Sequence, residues 1–228
     1  MTISQNLQRI QQRVHNACQR ARRDPAHVRL VAVSKTKPAA MIEAALQAGQ
    51  TLFGESYAQE FSSKFDELSD KVEWHFIGAL QSNKVKYLRG KVQLIHSVDR
   101  LSLAREIDRQ WGKIDRVADI LLQLNLGGEA SKAGADEEEL ETLLRQVAEL
   151  PNLRVRGLMA LPPYLEDPEQ VRPYFRRLRE LATLLRERKI PNVALRELSM
   201  GMSHDFEVAI EEGATLIRVG SAIFGERY

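Results

Sequence analysis

The feature that most constrains this chain is an alternation of two hydrophobic periodicities that runs from residue 29 to residue 224. Short β-branched or apolar runs, bounded by Gly, Pro, Asp or Ser, are each followed by a longer stretch with apolar residues at helical spacing. That is the pattern of repeated βα units. It predicts eight strands, at residues 29–35, 51–54, 73–78, 92–97, 118–126, 154–160, 194–199 and 215–219. Helices are predicted at 39–48, 58–69, 83–88, 101–111, 137–149, 169–188 and 206–212, with a very short one at 221–224. Ahead of the first strand, Leu7, Ile10, Val14, Ala17, Cys18 and Ala21 share one face of a helix over residues 3–23, ended by Asp24-Pro25.

Eight strands in strict alternation fit a closed (β/α)8 TIM barrel with an extra N-terminal helix, and 228 residues suit that fold. An open doubly wound sheet is the competing topology, because a periodic pattern does not show whether the first and last strands pair. No low-complexity linker or shift in composition divides the chain, so one domain over residues 1–228 is expected.

Composition narrows the function. With 43% hydrophobic and 28% charged residues, the chain has the makeup of a soluble globular protein that needs no disulfide or metal to hold its core. Lys plus Arg total 33 against 31 Asp plus Glu, a net charge of +2, which leaves no electrostatic footprint for nucleic acid or an anionic membrane. The single cysteine, Cys18, excludes an internal disulfide and cysteine-cluster zinc sites and suits a reducing compartment. No apolar run reaches the length of about 18 residues that a membrane helix needs, and residues 1–25 lack a signal-peptide core. A cytoplasmic protein is expected, with no metal, no nucleic acid and no membrane partner.

Three segments carry groups suited to chemistry. In the first strand Val31, Val33 and Lys35 share a face, which sets Lys35 at the C-terminal end of the strand, where barrels build their sites. Partial burial there lowers a lysine toward the neutral amine needed for Schiff-base formation, while a strand-end lysine reaching solvent is the competing reading. The second segment, Leu198 to Asp205, runs a strand into a small-residue turn and a helix, with Ser199, Gly201 and Ser203. Arg218-Val219-Gly220-Ser221 repeats that design at the eighth strand, and barrels often bind phosphate with the loops after strands seven and eight. The third, Trp74 to Lys84, brings His75 to a polar turn, either as a hydrogen-bonded interior residue or as a ligand contact. Asn83 and Lys84 read as helix cap and first turn, and Asn125 to Gly134, with Gly128, Glu129 and Lys132, as a loop bordering a site. Met159 either lines the barrel mouth or fills its core.

Taken together, Val31 to Thr36, Phe53-Gly54-Glu55, the Trp74 to Lys84 run, Ile95 to Asp99 and the segment from Leu198 through Gly225 resemble the pyridoxal phosphate homeostasis protein family. Its fold is that of the N-terminal barrel of alanine racemase. The resemblance implies that Lys35 holds pyridoxal 5'-phosphate as an internal aldimine. It also implies phosphate contacts at Ser199, Gly201, Gly220 and Ser221, and Arg218 facing the pyridine nitrogen. An arginine there keeps the nitrogen unprotonated and weakens the cofactor as an electron sink. Ser56, His75 and Met200 are further candidates for the pocket wall. Ser56 is a departure, since family members commonly carry Asn after Phe-Gly-Glu.

The racemase takes its second base, a tyrosine, from a separate β domain of the partner chain, and the eighth strand here is expected to end near residue 219. A monomeric, non-catalytic cofactor carrier is therefore expected, buffering the cofactor or delivering it to recipient enzymes or regulatory proteins, with effects on amino-acid and keto-acid pools. A weak amino-acid racemase using Lys35 is the first alternative and a cofactor-free phosphosugar aldolase the second.

Overall fold

In the computed structural model, which describes residues 2–68, 71–127 and 133–226, eight parallel strands close into a barrel in sequential order. They are β1 (Arg29–Val33), β2 (Leu52–Glu55), β3 (Glu73–Phe76), β4 (Leu94–Val98), β5 (Ala118–Leu124), β6 (Leu153–Ala160), β7 (Val193–Ser199) and β8 (Leu216–Val219). Closure rests on β1 and β8, which pair in parallel with Val31 opposite Arg218 and Ala32 opposite Val219. This excludes the open sheet and sets the ends of β1 and β8, with Lys35 and Arg218, side by side.

The connecting helices are α2 (Ala39–Gln47), α3 (Ala58–Leu68), α4 (Leu101–Gly112), α5 (Leu140–Ala148), α6 (Arg172–Glu187), α7 (Phe206–Glu211) and α8 (Ser221–Phe224), preceded by α1 (Ile3–Arg20). Helix α1 begins with a capping box between Thr2 and Gln5 and buries Leu7, Ile10, Ala17 and Cys18. It packs over the last two helices: Asn6 donates to the Ile223 carbonyl at 2.9 Å, and Arg13 and Arg20 pair with Glu207 and Glu211. The added helix thus braces the elements that follow β7 and β8.

Two apolar layers result. Val31, Leu52, Leu94, Leu121, Met159 and Leu216 form their own cluster inside the barrel, so Met159 fills the core. A larger cluster fills the space between strands and helices. Several boundaries differ from expectation, among them the following four. Strand β1 stops at Val33, because Ser34 accepts from Lys37 N–H and turns the chain. The expected helix over 83–88 is a 3-10 segment, Ser82–Tyr87, with Val85 as its one buried residue, too small a face to hold an α-helix against the barrel. The helix expected from 137 begins at Leu140, and the one expected from 169 begins at Arg172 after a 3-10 turn over Pro168–Val171 capped by Asp167. Ser69, and Gly128, Glu129 and Lys132 of the expected loop, lie outside the described residues.

Candidate functional site

A cavity of about 1090 Å³ opens at the C-terminal ends of the strands, lined among others by Lys35, Ser56, Gln123, Ser203, Arg218 and Gly220. Lys35 sits half-buried in the turn after β1. Both peptide groups that flank it are held from behind. Lys64 Nζ on α3 donates to the Ser34 carbonyl at 2.7 Å, and Thr36 N–H donates to Glu60 Oε1 at 2.6 Å. Lys64 also donates to Glu55 and Glu60, each at 2.7 Å, and Ser34 Oγ donates to Glu55 at 2.7 Å. Glu55 is fully buried, and desolvation pushes its carboxyl up against the opposing pull of Lys64 and Ser34. Thr36 takes a positive φ of 64°, costly for a β-branched residue, so the turn carrying Lys35 is bent by tertiary contacts.

Arg218 reaches the cavity from β8 and is 4% exposed. Its Nη1 donates to Ser199 Oγ at 2.5 Å and its Nη2 to the Ala160 carbonyl at 3.0 Å. Burial lowers its pKa to about 10, opposed by Asp205, so it remains a cation at neutral pH.

The loops after β7 and β8 meet at the same cavity. Gly201 has φ of +89°, and a Cβ there would sit 2.6 Å from Ala209 Cβ, so the turn requires glycine. Gly220 N–H donates to Ser203 Oγ at 3.3 Å, joining the two loops. The first N–H groups of α8 have no intrahelical acceptor, and its first residue, Ser221, lines the cavity together with Met202 and Ser203.

The structure brings Lys35, Ser56, Arg218, Gly220 and Ser221 to the lining of one cavity. It does not bring His75, Met200, Ser199 or Gly201 there. His75 lies inside the barrel, 2% exposed, with its Nδ1 2.9 Å from His96 Nε2. Met200 is buried in the outer core, since it follows β7 with its side chain turned away from the lumen. The Ser199 hydroxyl is taken by Arg218 and His96, and the cavity wall beside Gly201 is formed by Met202 and Ser203. Lys37, a weaker sequence candidate in the loop before Pro38, and Lys84, expected as a solvated first-turn residue, also line the cavity.

The family model described as alanine racemase, N-terminal domain, matches residues 5–228. The chain is 52% identical over 228 residues to the pyridoxal phosphate homeostasis protein of Aquifex aeolicus, covering 100% of this chain and 99% of that one. It belongs to this family. A solved member, PipY of Synechococcus elongatus with PLP bound, is 38% identical, covers 98% of this chain with 100% of its own, and superposes with a TM-score of 0.85. Alanine racemase from Corynebacterium glutamicum shares the fold at 16% identity and a TM-score of 0.67, over 99% of this chain and 60% of its own. Family membership thus accounts for the barrel.

Proposed function

We propose that this chain binds pyridoxal 5'-phosphate in the cavity and carries it, with the cofactor aldehyde bonded to Lys35 Nζ. The observation that supports this reading is the convergence of Lys35, Arg218 and the two glycine loops on one cavity. The residues fit the group. The junction of Ser203, Gly220 and Ser221 supplies hydroxyl and backbone N–H donors for a phosphate, and side-chain atoms at Gly201 would crowd its turn against α7. Lys35 supplies a primary amine, and the cationic Arg218 opposes protonation of a pyridine nitrogen beside it.

The cofactor, when bound, supplies an aldehyde that condenses reversibly with amines and a ring that withdraws electrons. The chain's own residues favour holding over turnover. Lys64 and Glu60 fix the backbone on both sides of Lys35. Arg218, a buried cation, would keep a pyridine ring held beside it a poor electron sink. Racemisation needs a second base opposite Lys35, and the tyrosines at the cavity rim, Tyr57 and Tyr164, are 54% and 71% exposed, in water rather than desolvated against a substrate. Exposure of the rim suits handing the cofactor to recipient enzymes.

Titration of the purified chain with pyridoxal 5'-phosphate, followed by its visible absorbance, tests the reading. The unaltered chain is expected to develop a saturable band that Lys35→Ala abolishes while its circular dichroism stays unchanged. Alanine incubated with the loaded chain in deuterated water is expected to keep its α-proton as long as it does with free cofactor. Exchange well above that level would favour the racemase.

A further inference from the structure

Below the cavity one chain of polar side chains crosses the barrel lumen. Arg218 on β8 donates to Ser199 on β7 at 2.5 Å, and Ser199 Oγ lies 2.8 Å from His96 Nδ1 on β4. His96 Nε2 lies 2.9 Å from His75 Nδ1 on β3, and His75 Nε2 lies 3.6 Å from Glu73 Oε1 at the start of the same strand. Glu73 is also paired with Arg29 of β1 at 2.6 Å. Strands β4 and β7 stand three places apart around the ring, so the Ser199–His96 bond spans the interior. His75, His96 and Ser199 are each at most 2% exposed.

The donor inventory gives this chain a direction. Arginine has only donors, so Ser199 Oγ accepts from Arg218. The Ser199 hydrogen then finds its acceptor at His96 Nδ1. His96 must therefore carry its proton on Nε2 and donate to His75 Nδ1, which leaves the His75 proton on Nε2, aimed at the Glu73 carboxylate. The reverse order strands the buried Ser199 hydrogen without an acceptor and sets a His75 lone pair against a carboxylate, and both are penalised in a dry interior. In the favoured order every bond dipole points from the cation toward the anion, so each strengthens the next.

Charged and titratable groups around the chain agree with neutral imidazoles. His75 faces Glu73, Arg29 and Glu197, and His96 faces His75 and Arg218; burial, the largest influence on both, holds each below its ordinary pKa. Among the described residues no ion pair joins Arg218 to a carboxylate, Asp205 acting on it only through its charge, and its hydrogen-bonded path runs through the barrel to His75, whose Nε2 lies 3.6 Å from Glu73.

We propose that Glu73, His75 and His96 are positioning residues that act through Ser199 on Arg218, locking both imidazoles as Nε2–H tautomers and presenting Arg218 to the cavity in one fixed orientation. Two of the five guanidinium N–H groups are spent on Ser199 and Ala160, and three remain for a ligand. The consequence for a ligand rests on the cofactor reading above, whereas the tautomers and the Arg218 orientation belong to the unloaded chain.

Long-range proton–nitrogen correlation spectra of the unloaded, nitrogen-15-labelled chain at pH 7.5 test this directly. Both His75 and His96 are expected as neutral Nε2–H tautomers, with Arg218 guanidinium signals resolved and slow to exchange. An Nδ1–H tautomer or an imidazolium at either position overturns the proposal. Ser199→Ala removes one hydroxyl, and it is expected to release the tautomer of His75 as well as of His96 and to speed exchange at Arg218. A merely structural serine would leave His75 unchanged, and that result also overturns it. With cofactor added, Glu73→Gln is expected to weaken binding several-fold although Glu73 lies at the far end of the strand; unaltered affinity would refute transmission to the site. Failure of the unaltered chain to bind any cofactor would count against the cofactor reading alone, leaving the spectra to judge the relay.

Discussion

Lys64 Nζ lies 2.7 Å from the carbonyl oxygen of Ser34, so a lysine on α3 holds the peptide bond that leads into Lys35. Helices of this kind ordinarily turn lysine outward, but here the side chain is 8% exposed and its charge is met by Glu55 and Glu60. The buried ion pair is a positioning device for the lysine proposed to carry the cofactor. Its first consequence is for stability.

Lys64→Met leaves Glu55 charged and buried without its partner, which is expected to cost about 3–5 kcal/mol. Burial already raises the Glu55 carboxyl, and losing Lys64 raises it further. A carboxyl whose pKa is raised by folding takes up its proton more readily in the folded state. The deficit is therefore largest near pH 8 and shrinks toward pH 5. Urea unfolding at several pH values checks this, and a deficit independent of pH would contradict it.

Acid is expected to weaken the fold through His75 and His96. Both are held below the usual histidine value by burial, so as pH falls below about 6.5 the unfolded chain binds protons that the folded chain refuses. Their contribution is complete above pH 7.5 and declines on acidification, by at most about 1.4 kcal/mol per pH unit for each group. His96→Gln is expected to flatten the slope of stability between pH 5 and 7, measured by urea midpoints.

Gly201→Ala forces a left-handed backbone on alanine, worth about 1–2 kcal/mol, and drives its methyl to 2.6 Å from Ala209 Cβ. At Gly220 the nearest atom to an added Cβ is 3.3 Å away and φ is −121°. Thermal denaturation is expected to rank Gly201→Ala well below Gly220→Ala.

Arg218→Glu sets a carboxylate beside the proposed position of the pyridine nitrogen. The loaded chain is expected to show a shifted absorbance maximum or a changed cofactor affinity. An unchanged spectrum and affinity would locate Arg218 away from the ring.

The parts of this arrangement that were legible in the sequence are those written locally. The eight βα repeats are visible because strand and helix periodicities are properties of neighbouring residues. Lys35, Gly220, Ser221 and Arg218 stood out because strand ends and glycine turns are local too. What connects strands was hidden. His96 and Ser199 are 103 residues apart, and nothing near either one announces the other. His75 sits on a correct strand, yet whether its ring meets a ligand or a second histidine depends on the barrel's registration. Ser199 follows the same logic, since its hydroxyl is claimed from across the lumen. Lys64 looked like an ordinary residue of an amphipathic helix because Glu55 and Ser34, which draw it inward, lie on other elements.

The central claim is that Lys35 anchors the cofactor. Its most direct test is borohydride reduction of the chain loaded with pyridoxal 5'-phosphate, followed by peptide mass mapping. The account predicts one pyridoxyl-phosphate adduct, on Lys35, with the visible band lost on reduction. An adduct confined to Lys37, Lys84 or another lysine, or a chain that takes up no cofactor at all, would contradict it.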